Sequence, residues 1–582
     1  MFERDSFTAT ALEEIYNRSF HAAMARGTQG LSPAALAQAR EDWLLHLASA
    51  PGKQMALIEK AVRKWLRFVH YAAHASIGSR APEACIDPLP QDRRFNAEEW
   101  QKWPFNLYYQ WFLLQQQWWH NATTDVPGVN AQHERVLQFA ARQVLDVFAP
   151  SNFLLTNPEV LARSQQEGGR NLWRGFQNLL EDIERHRGGK GPVGVENFLP
   201  GENVATTPGK VVFRNRLIEL IQYAPVTDQV WPEPLLIVPA WINKYYILDL
   251  SPHNSMVKYL TGQGYTVFIV SWLNPGPEDR DLDMDDYRQL GVIASLEAVQ
   301  AIVPDKKVHA VGYCLGGTLL SIAAAALARS GQSPIATLSF LATQIDFNEP
   351  GELQLFINES QLNFLEDMMW EQGFLDARQM SGAFQLLRSN DLIWSRSMRE
   401  YLLGERSGMI DLIAWNADST RMPYRMHSEY LRKLYLNNDF AEGRFDVEGK
   451  PVTISDINAP IFTVGTLGDH IAPWHSVYKA HLLVDTEITF LLTSGGHNAG
   501  IVSEPGHAHR SYQVAATSDE HRYVDPDTWA ARTPMKEGSW WPEWTSWLDQ
   551  HSGQPVAPPP MGAPAKGYPP ITDAPGTFVL QK

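Results

Sequence analysis

The amino-acid sequence predicts an α/β fold: a mainly parallel sheet with helices on both faces. Three observations predict it. From about residue 205 onward, short β-rich runs alternate with helical stretches. Most of those runs are apolar throughout, as strands covered on both faces require. One of them ends in a glycine-flanked turn that opens a helix, Gly312-Tyr313-Cys314-Leu315-Gly316.

Residues 1–200 read as a mainly helical N-terminal domain. Apolar positions recur at helical spacing through 55–71 and 136–148. The stretch 100–120 is dense in aromatics. It either packs into its own domain or offers those rings to another subunit or an apolar surface. The strands expected next are 211–223, 235–238, 266–271, 308–311, 336–341, 461–464 and 488–492, all within a catalytic domain over 201–550. Between 341 and 461 strand signals are few, and 353–374 and 377–387 look helical. An insertion of that length inside a sheet domain is expected to be a cap, here at about 347–455. Residues 551–582 form a Pro-rich tail, extended or disordered over 553–576 and without catalytic content.

The composition limits the functional classes. The chain has 582 residues and a formal net charge of −16. A surplus of acid argues against nucleic acid as the main partner, because phosphate binding needs Lys and Arg. Two cysteines, Cys85 and Cys314, cannot build a disulfide framework in a chain this long. Together with Met1-Phe2-Glu3-Arg4-Asp5, which lacks the basic-then-apolar order of a secretory leader, they point to a reducing cytoplasm. No run is long and apolar enough to span a bilayer.

The stretch Val308-His309-Ala310-Val311-Gly312-Tyr313-Cys314-Leu315-Gly316-Gly317 carries the chemistry. Glycines two residues to either side of Cys314 give a nucleophile elbow of the α/β-hydrolase fold, with Cys where Ser is usual. The nucleophile sits in a strained turn between strand and helix, and larger flanking residues would clash there. The helix N-terminus behind it favours an anion. A buried, inert cysteine is the plain alternative; the position after an apolar strand and before a helix argues against it. Cys85 lies in a Pro-flanked loop and receives no role.

In this fold the acid and the histidine follow the nucleophile in that order, each past a late strand. Asp469 follows the run at 461–464, and His497 follows the run at 488–492 in a glycine loop. His497 would act as base, and Asp469 would fix its tautomer. His470 competes for the base but would more readily order its own loop. His309 lies within a strand and reads as a core residue. His507 and His509 form a pair with no further ligand cluster, so no metal site is expected. The N–H of Leu315 is expected in an oxyanion hole, with a second donor from the loop after 235–238, Pro239-Ala240-Trp241-Ile242-Asn243-Lys244. Gly262-Gln263-Gly264 precedes a strand, whereas a dinucleotide loop follows one; no cofactor is expected.

At these residues the sequence resembles the polyhydroxyalkanoate synthases of the single-subunit type. The resemblance covers roughly 90–550 and rests on separated blocks. They include Trp103-Pro104-Phe105, Pro150-Ser151-Asn152-Phe153, Ile242-Asn243-Lys244-Tyr245-Tyr246-Ile247-Leu248-Asp249-Leu250, the Cys314 elbow, Asn390-Asp391-Leu392-Ile393-Trp394, Trp415-Asn416-Ala417-Asp418, Asp469-His470-Ile471-Ala472-Pro473-Trp474 and Gly538-Ser539-Trp540-Trp541-Pro542-Glu543-Trp544. The chain departs from the family wording at Ala240, Gly468 and Asn498, where Pro, Glu and Ile are frequent; none removes a catalytic group.

The resemblance implies a polymerase that takes a (R)-3-hydroxyacyl-CoA, forms a Cys314 acyl-enzyme, releases CoA and lengthens a polyester. It gives Asp469 a part in activating the 3-hydroxyl, directly or through His497. It places Ile242 N–H beside Leu315 N–H in the oxyanion hole. It implies a homodimer, a mobile cap, and a cytoplasmic location at the surface of a growing polymer granule, with the N-terminal part serving dimerisation and granule binding. Two other readings stand beside it: a thioesterase or polyester depolymerase on the same scaffold, and a non-catalytic granule-coating protein that retains the fold.

Overall fold

The computed structural model describes residues 7–517 and 523–582, apart from 29, 78–82, 378, 381 and 383–388. Most of the helix expected over 377–387 lies outside the described residues, as does Met1–Asp5. The chain divides into two compact units: Met1–Gly27 with Gly194–Met380 and Met409–Lys582, and Thr28–Val193 with Ser381–Gly408.

The first unit is built on one sheet. Its strands in chain order are β1 (Gly209–Arg214), β2 (Ile218–Tyr223), β3 (Leu235–Val238), β4 (Val267–Trp272), β5 (Val308–Tyr313) and β6 (Ile335–Leu341). Two small antiparallel pairs follow in the inserted region, β7 (Phe374–Leu375) with β8 (Met422–Pro423), and the hairpin of β9 (Phe445–Val447) with β10 (Lys450–Val452). The main sheet resumes with β11 (Ile461–Thr466), β12 (Ile488–Thr493), β13 (Ser511–Thr517), β14 (Lys536–Glu537) and β15 (Thr572–Asp573). Its spatial order is β14-β13-β12-β11-β6-β5-β3-β4-β2-β1-β15. The central run from β12 to β4 is parallel, and antiparallel pairs close both sides. Every residue of β2, β3, β4, β5, β11 and β12 is buried, which is why most of these strands read as largely apolar runs.

One expected strand is two. The run 211–223 turns back on itself at Asn215, whose side-chain oxygen accepts the N–H groups of Leu217 (2.8 Å) and Ile218 (2.9 Å). That Asx turn makes β1 and β2 an antiparallel pair. The Pro-rich tail is extended but ordered. Thr572 and Asp573 pair with β1. The buried Glu219 carboxylate accepts the N–H groups of Thr577 (2.8 Å) and Phe578 (2.9 Å). The buried Lys244 ammonium donates to the carbonyls of Phe578 (3.3 Å) and Gln581 (2.8 Å). Composition alone hides this, because the anchors are two charged residues more than 300 positions upstream.

The second unit is helical. Helices Pro33–Ala48, Pro51–Ile77, Phe105–Thr123 and Ala131–Val147 pack against one another, and Phe95, Trp100, Tyr109, Phe112 and Leu113 form a buried cluster at Phe105–Thr123. The aromatic stretch therefore divides: these rings fill its own unit's core, while Trp103, Tyr108, Trp111 and Trp119 stay partly exposed. Gly175, in helix Arg170–Arg187, lies against the backbone carbonyl of Tyr401, where any Cβ would collide.

Candidate active site

β5 runs through the centre of the sheet and ends at Tyr313. The next residue, Cys314, has φ +52° and ψ −124°, a conformation that L residues rarely hold, and the helix Leu315–Arg329 starts directly after it. The flanking glycines have specific reasons. A Cβ on Gly312 would strike the backbone of Gly317, and one on Gly316 would strike the carbonyls of Val238 and Pro239. Gly317 is equally constrained, by Thr343 on the strand-end loop after β6. The signal for Gly317 is its place as a second glycine directly after Gly316.

β11 and β12 lie side by side and deliver the other two groups. Asp469 follows β11, and His497 follows β12. His497 Nδ1 donates to Asp469 Oδ2 at 2.7 Å, and the Cys314 side chain lies near enough to the ring to act on its charge. The three residues named from their order in the chain thus meet in one place. All are nearly shut from solvent; the Asp469 side chain is 0 % exposed. Its Oδ1 accepts the N–H groups of Ile471 (2.8 Å) and Ala472 (2.9 Å), and its Oδ2 also accepts from Thr466 Oγ1 at 3.2 Å.

Burial by itself would raise the Asp469 carboxyl and lower the His497 imidazole. The mutual attraction of the two groups outweighs this, so Asp469 is held below the ordinary carboxylate value and His497 well above that of a free imidazole. The Cys314 sulfur adds to the His497 shift. His470 is half-buried, and its carbonyl accepts the Glu352 N–H at 3.3 Å; the ring on Asp469 is that of His497. His309 is a core residue bonded to Thr337 (2.8 Å) and Ser552 (3.0 Å), and burial pushes it down to about 4. His507 pairs with Glu504 at 2.9 Å. Among the described residues no cluster of three metal-ligating side chains occurs.

Neighbours that sequence order gave no reason to name complete the site. The Tyr313 hydroxyl donates to Asn498 Oδ1 at 2.5 Å, tying the elbow to the histidine loop. Tyr430 and Tyr435, from the inserted region, are buried, and that burial holds their phenols well above the ordinary value; the Cys314 sulfur raises both further. Leu315 N–H lies at the first position of its helix, where no intrahelical acceptor exists. Ile242 lies in the loop after β3, its carbonyl accepting from Thr420 N–H at 3.1 Å.

A cysteine at a strained strand-to-helix turn, with an Asp–His pair past two later parallel strands, defines an enzyme of the α/β-hydrolase fold. Comparison with known proteins agrees. A family model described as the alpha/beta hydrolase fold matches residues 233–503. Models described as the poly-beta-hydroxybutyrate polymerase (PhaC) N-terminus and the poly-beta-hydroxybutyrate polymerase N terminal match 91–260 and 13–53. The chain is 39% identical over 507 residues to a poly(3-hydroxyalkanoate) polymerase of Methylorubrum extorquens, covering 86% of this chain and 82% of that one. It is 36% identical over 501 residues to the poly(3-hydroxyalkanoate) polymerase subunit PhaC of Cupriavidus necator, covering 84% and 83%. Among solved structures, a soluble variant of monoglyceride lipase from Saccharomyces cerevisiae matches with a TM-score of 0.36 at 12% identity, covering 60% of this chain and 98% of that one. The chain belongs to the poly(3-hydroxyalkanoate) polymerase family.

Proposed function

We propose that this chain polymerises (R)-3-hydroxyacyl-CoA into polyester through an acyl-enzyme on Cys314. The observation that carries the reading is the hydrogen bond of the His497 ring to the Asp469 carboxylate, with the strained Cys314 near enough to act on the ring's charge. His497 takes the thiol proton, and the thiolate attacks the thioester carbonyl. The N–H groups of Leu315 and Ile242 receive the developing oxyanion. The carbon–sulfur bond to CoA breaks, and CoA leaves with the proton returned by His497. The 3-hydroxyl of a further unit then gives its proton to His497 and attacks the acyl carbonyl held on Cys314; the ester bond forms as the carbon–sulfur bond to Cys314 breaks, and the departing thiolate takes the proton back from His497.

Asp469 acts through His497 in this scheme. Both of its oxygens are occupied within the protein and its side chain is wholly buried, which supports an orienting role over direct contact with the hydroxyl. The inserted region serves as a cap that keeps water from the acyl-enzyme, a role supported by Tyr430 and Tyr435 beside Cys314. The thioester is substrate, and no cofactor is needed.

A cytoplasmic homodimer working at a granule surface completes the proposal. Its support is apolar surface on the helical unit: Met55, Ile58, Val62, Trp65, Leu66 and Val69 form an exposed stripe along Pro51–Ile77. Among the described residues no helix is long and apolar enough to cross a membrane.

The test is incubation of purified protein with (R)-3-hydroxybutyryl-CoA. CoA release with growing turbidity and recoverable polyester supports the proposal. Release of soluble hydroxy acid alone sinks it in favour of a hydrolase, and turnover that survives Cys314→Ala sinks the cysteine chemistry.

A further inference from the structure

The loop that carries Ile242 is held by a residue far along the chain. The Thr420 hydroxyl donates to the Trp241 carbonyl, and the Thr420 N–H donates to the Ile242 carbonyl at 3.1 Å. One buried residue thereby grips two successive peptide groups. Neighbouring contacts continue the seam. Trp415 Nε1 donates to the Lys244 carbonyl at 2.7 Å, the Tyr246 hydroxyl donates to Asp418 at 3.0 Å, and Asn243 bridges Ser419.

The first grip bears on the chemistry. The Trp241 carbonyl and the Ile242 N–H belong to the same planar peptide group, and in a trans peptide they point in opposite directions. Fixing the oxygen fixes the hydrogen. We infer that Thr420 is a positioning residue whose hydroxyl, by holding the Trp241 carbonyl, aims the Ile242 N–H at the oxyanion that forms on the acyl group of Cys314. This rests on the cysteine acyl-transfer reading above and adds to it the group that sets the second oxyanion donor.

Without the hydroxyl, the Trp241–Ile242 peptide is free to rotate, while the Thr420 backbone still holds the next peptide. Losing one oxyanion donor outright costs about 100- to 1,000-fold in kcat. A donor that is misdirected, but whose loop stays attached, should cost about 10- to 100-fold. Thiol activation does not depend on that donor, because it comes from His497 and the helix start.

The experiment compares wild type, Thr420→Val and Thr420→Ser by CoA release from (R)-3-hydroxybutyryl-CoA, with the alkylation rate of Cys314 by iodoacetamide as a second readout. Expected for Thr420→Val is a kcat lowered about 10- to 100-fold, an unchanged KM and an unchanged alkylation rate, with Thr420→Ser close to wild type. A kcat unchanged in Thr420→Val overturns the inference. So does alkylation falling together with kcat, which would mark general damage, or a Thr420→Ser variant as slow as Thr420→Val. If Cys314→Ala, run alongside, still turns over, the acyl-transfer reading itself has failed, and the inference falls with it.

Discussion

Replacing Cys314 by glycine should give a more stable protein than replacing it by alanine, the reverse of the usual order. Both changes remove the sulfur, so they differ only in the Cβ. At φ +52° and ψ −124° that Cβ is held outside even the left-handed helical well. Residues forced into such regions carry about 1–3 kcal/mol of strain, and this position belongs in the upper half of that range. Glycine costs about 0.4–1 kcal/mol through the greater freedom of the unfolded chain. It also gives up the burial of one methyl group, about 0.8 kcal/mol. The balance favours glycine by about 1 kcal/mol. Urea unfolding followed by tryptophan fluorescence reads the difference. With slopes of about 1–3 kcal/mol/M, the glycine variant should unfold at a midpoint higher by about 0.3–1 M. An alanine variant with an equal or higher midpoint would show that the elbow stores no strain at this position.

Two further substitutions probe the surrounding frame. Gly316→Ala puts a methyl group against the carbonyls of Val238 and Pro239, both backbone atoms that cannot swing aside. It should cost about 1–3 kcal/mol in urea unfolding and, by displacing the loop after β3, depress CoA release as well. Asp469→Asn should lower CoA release at least about 100-fold, measured at saturating substrate, because the imidazole loses the group that fixes its tautomer. The same variant tests pH linkage. Asp469 is lowered below its ordinary 3.8 in the folded chain, so its contribution to stability is present above that pH and lost as pH falls through the folded value. His497 is raised above its ordinary 6.5, so its contribution is complete below 6.5 and fades as pH rises through the folded value. The Tm gap between wild type and Asp469→Asn should therefore be widest between pH 3.8 and 6.5; a gap that keeps widening above that window contradicts the pairing.

The parallel core of the sheet was legible because burial on both faces leaves its strands mostly apolar, with only a few buried polar residues such as Ser271, His309 and Thr463. β3 coincides with the expected run, and β5, β11 and β12 each extend only a residue or two beyond theirs. The edges were not. β13 pairs antiparallel on the flank and mixes buried, half-buried and exposed residues, so its sequence, Ser511-Tyr512-Gln513-Val514-Ala515-Ala516-Thr517, carries no long apolar run. The turn at Asn215 was hidden inside a stretch that reads as continuous β structure. In the site, Cys314, Asp469 and His497 could be named because each stands next to a readable strand end, in a fixed order. Thr420, Tyr430 and Tyr435 could not, since only the folding of the inserted region brings them to the loop after β3 and to Cys314. No local pattern marks such a residue.

The most direct measurement of the central claim is to trap the acyl-enzyme. Butyryl-CoA lacks the 3-hydroxyl needed for chain extension, so an acyl group transferred to the protein has no hydroxyl on which to move. Mass spectrometry of the treated protein should find one butyryl group per chain, and peptide mapping should place it on Cys314, absent from Cys314→Ala and slow to form in His497→Gln. An acyl group found on Cys85 or on any serine, or CoA released at full rate with no modified residue at all, would contradict the account.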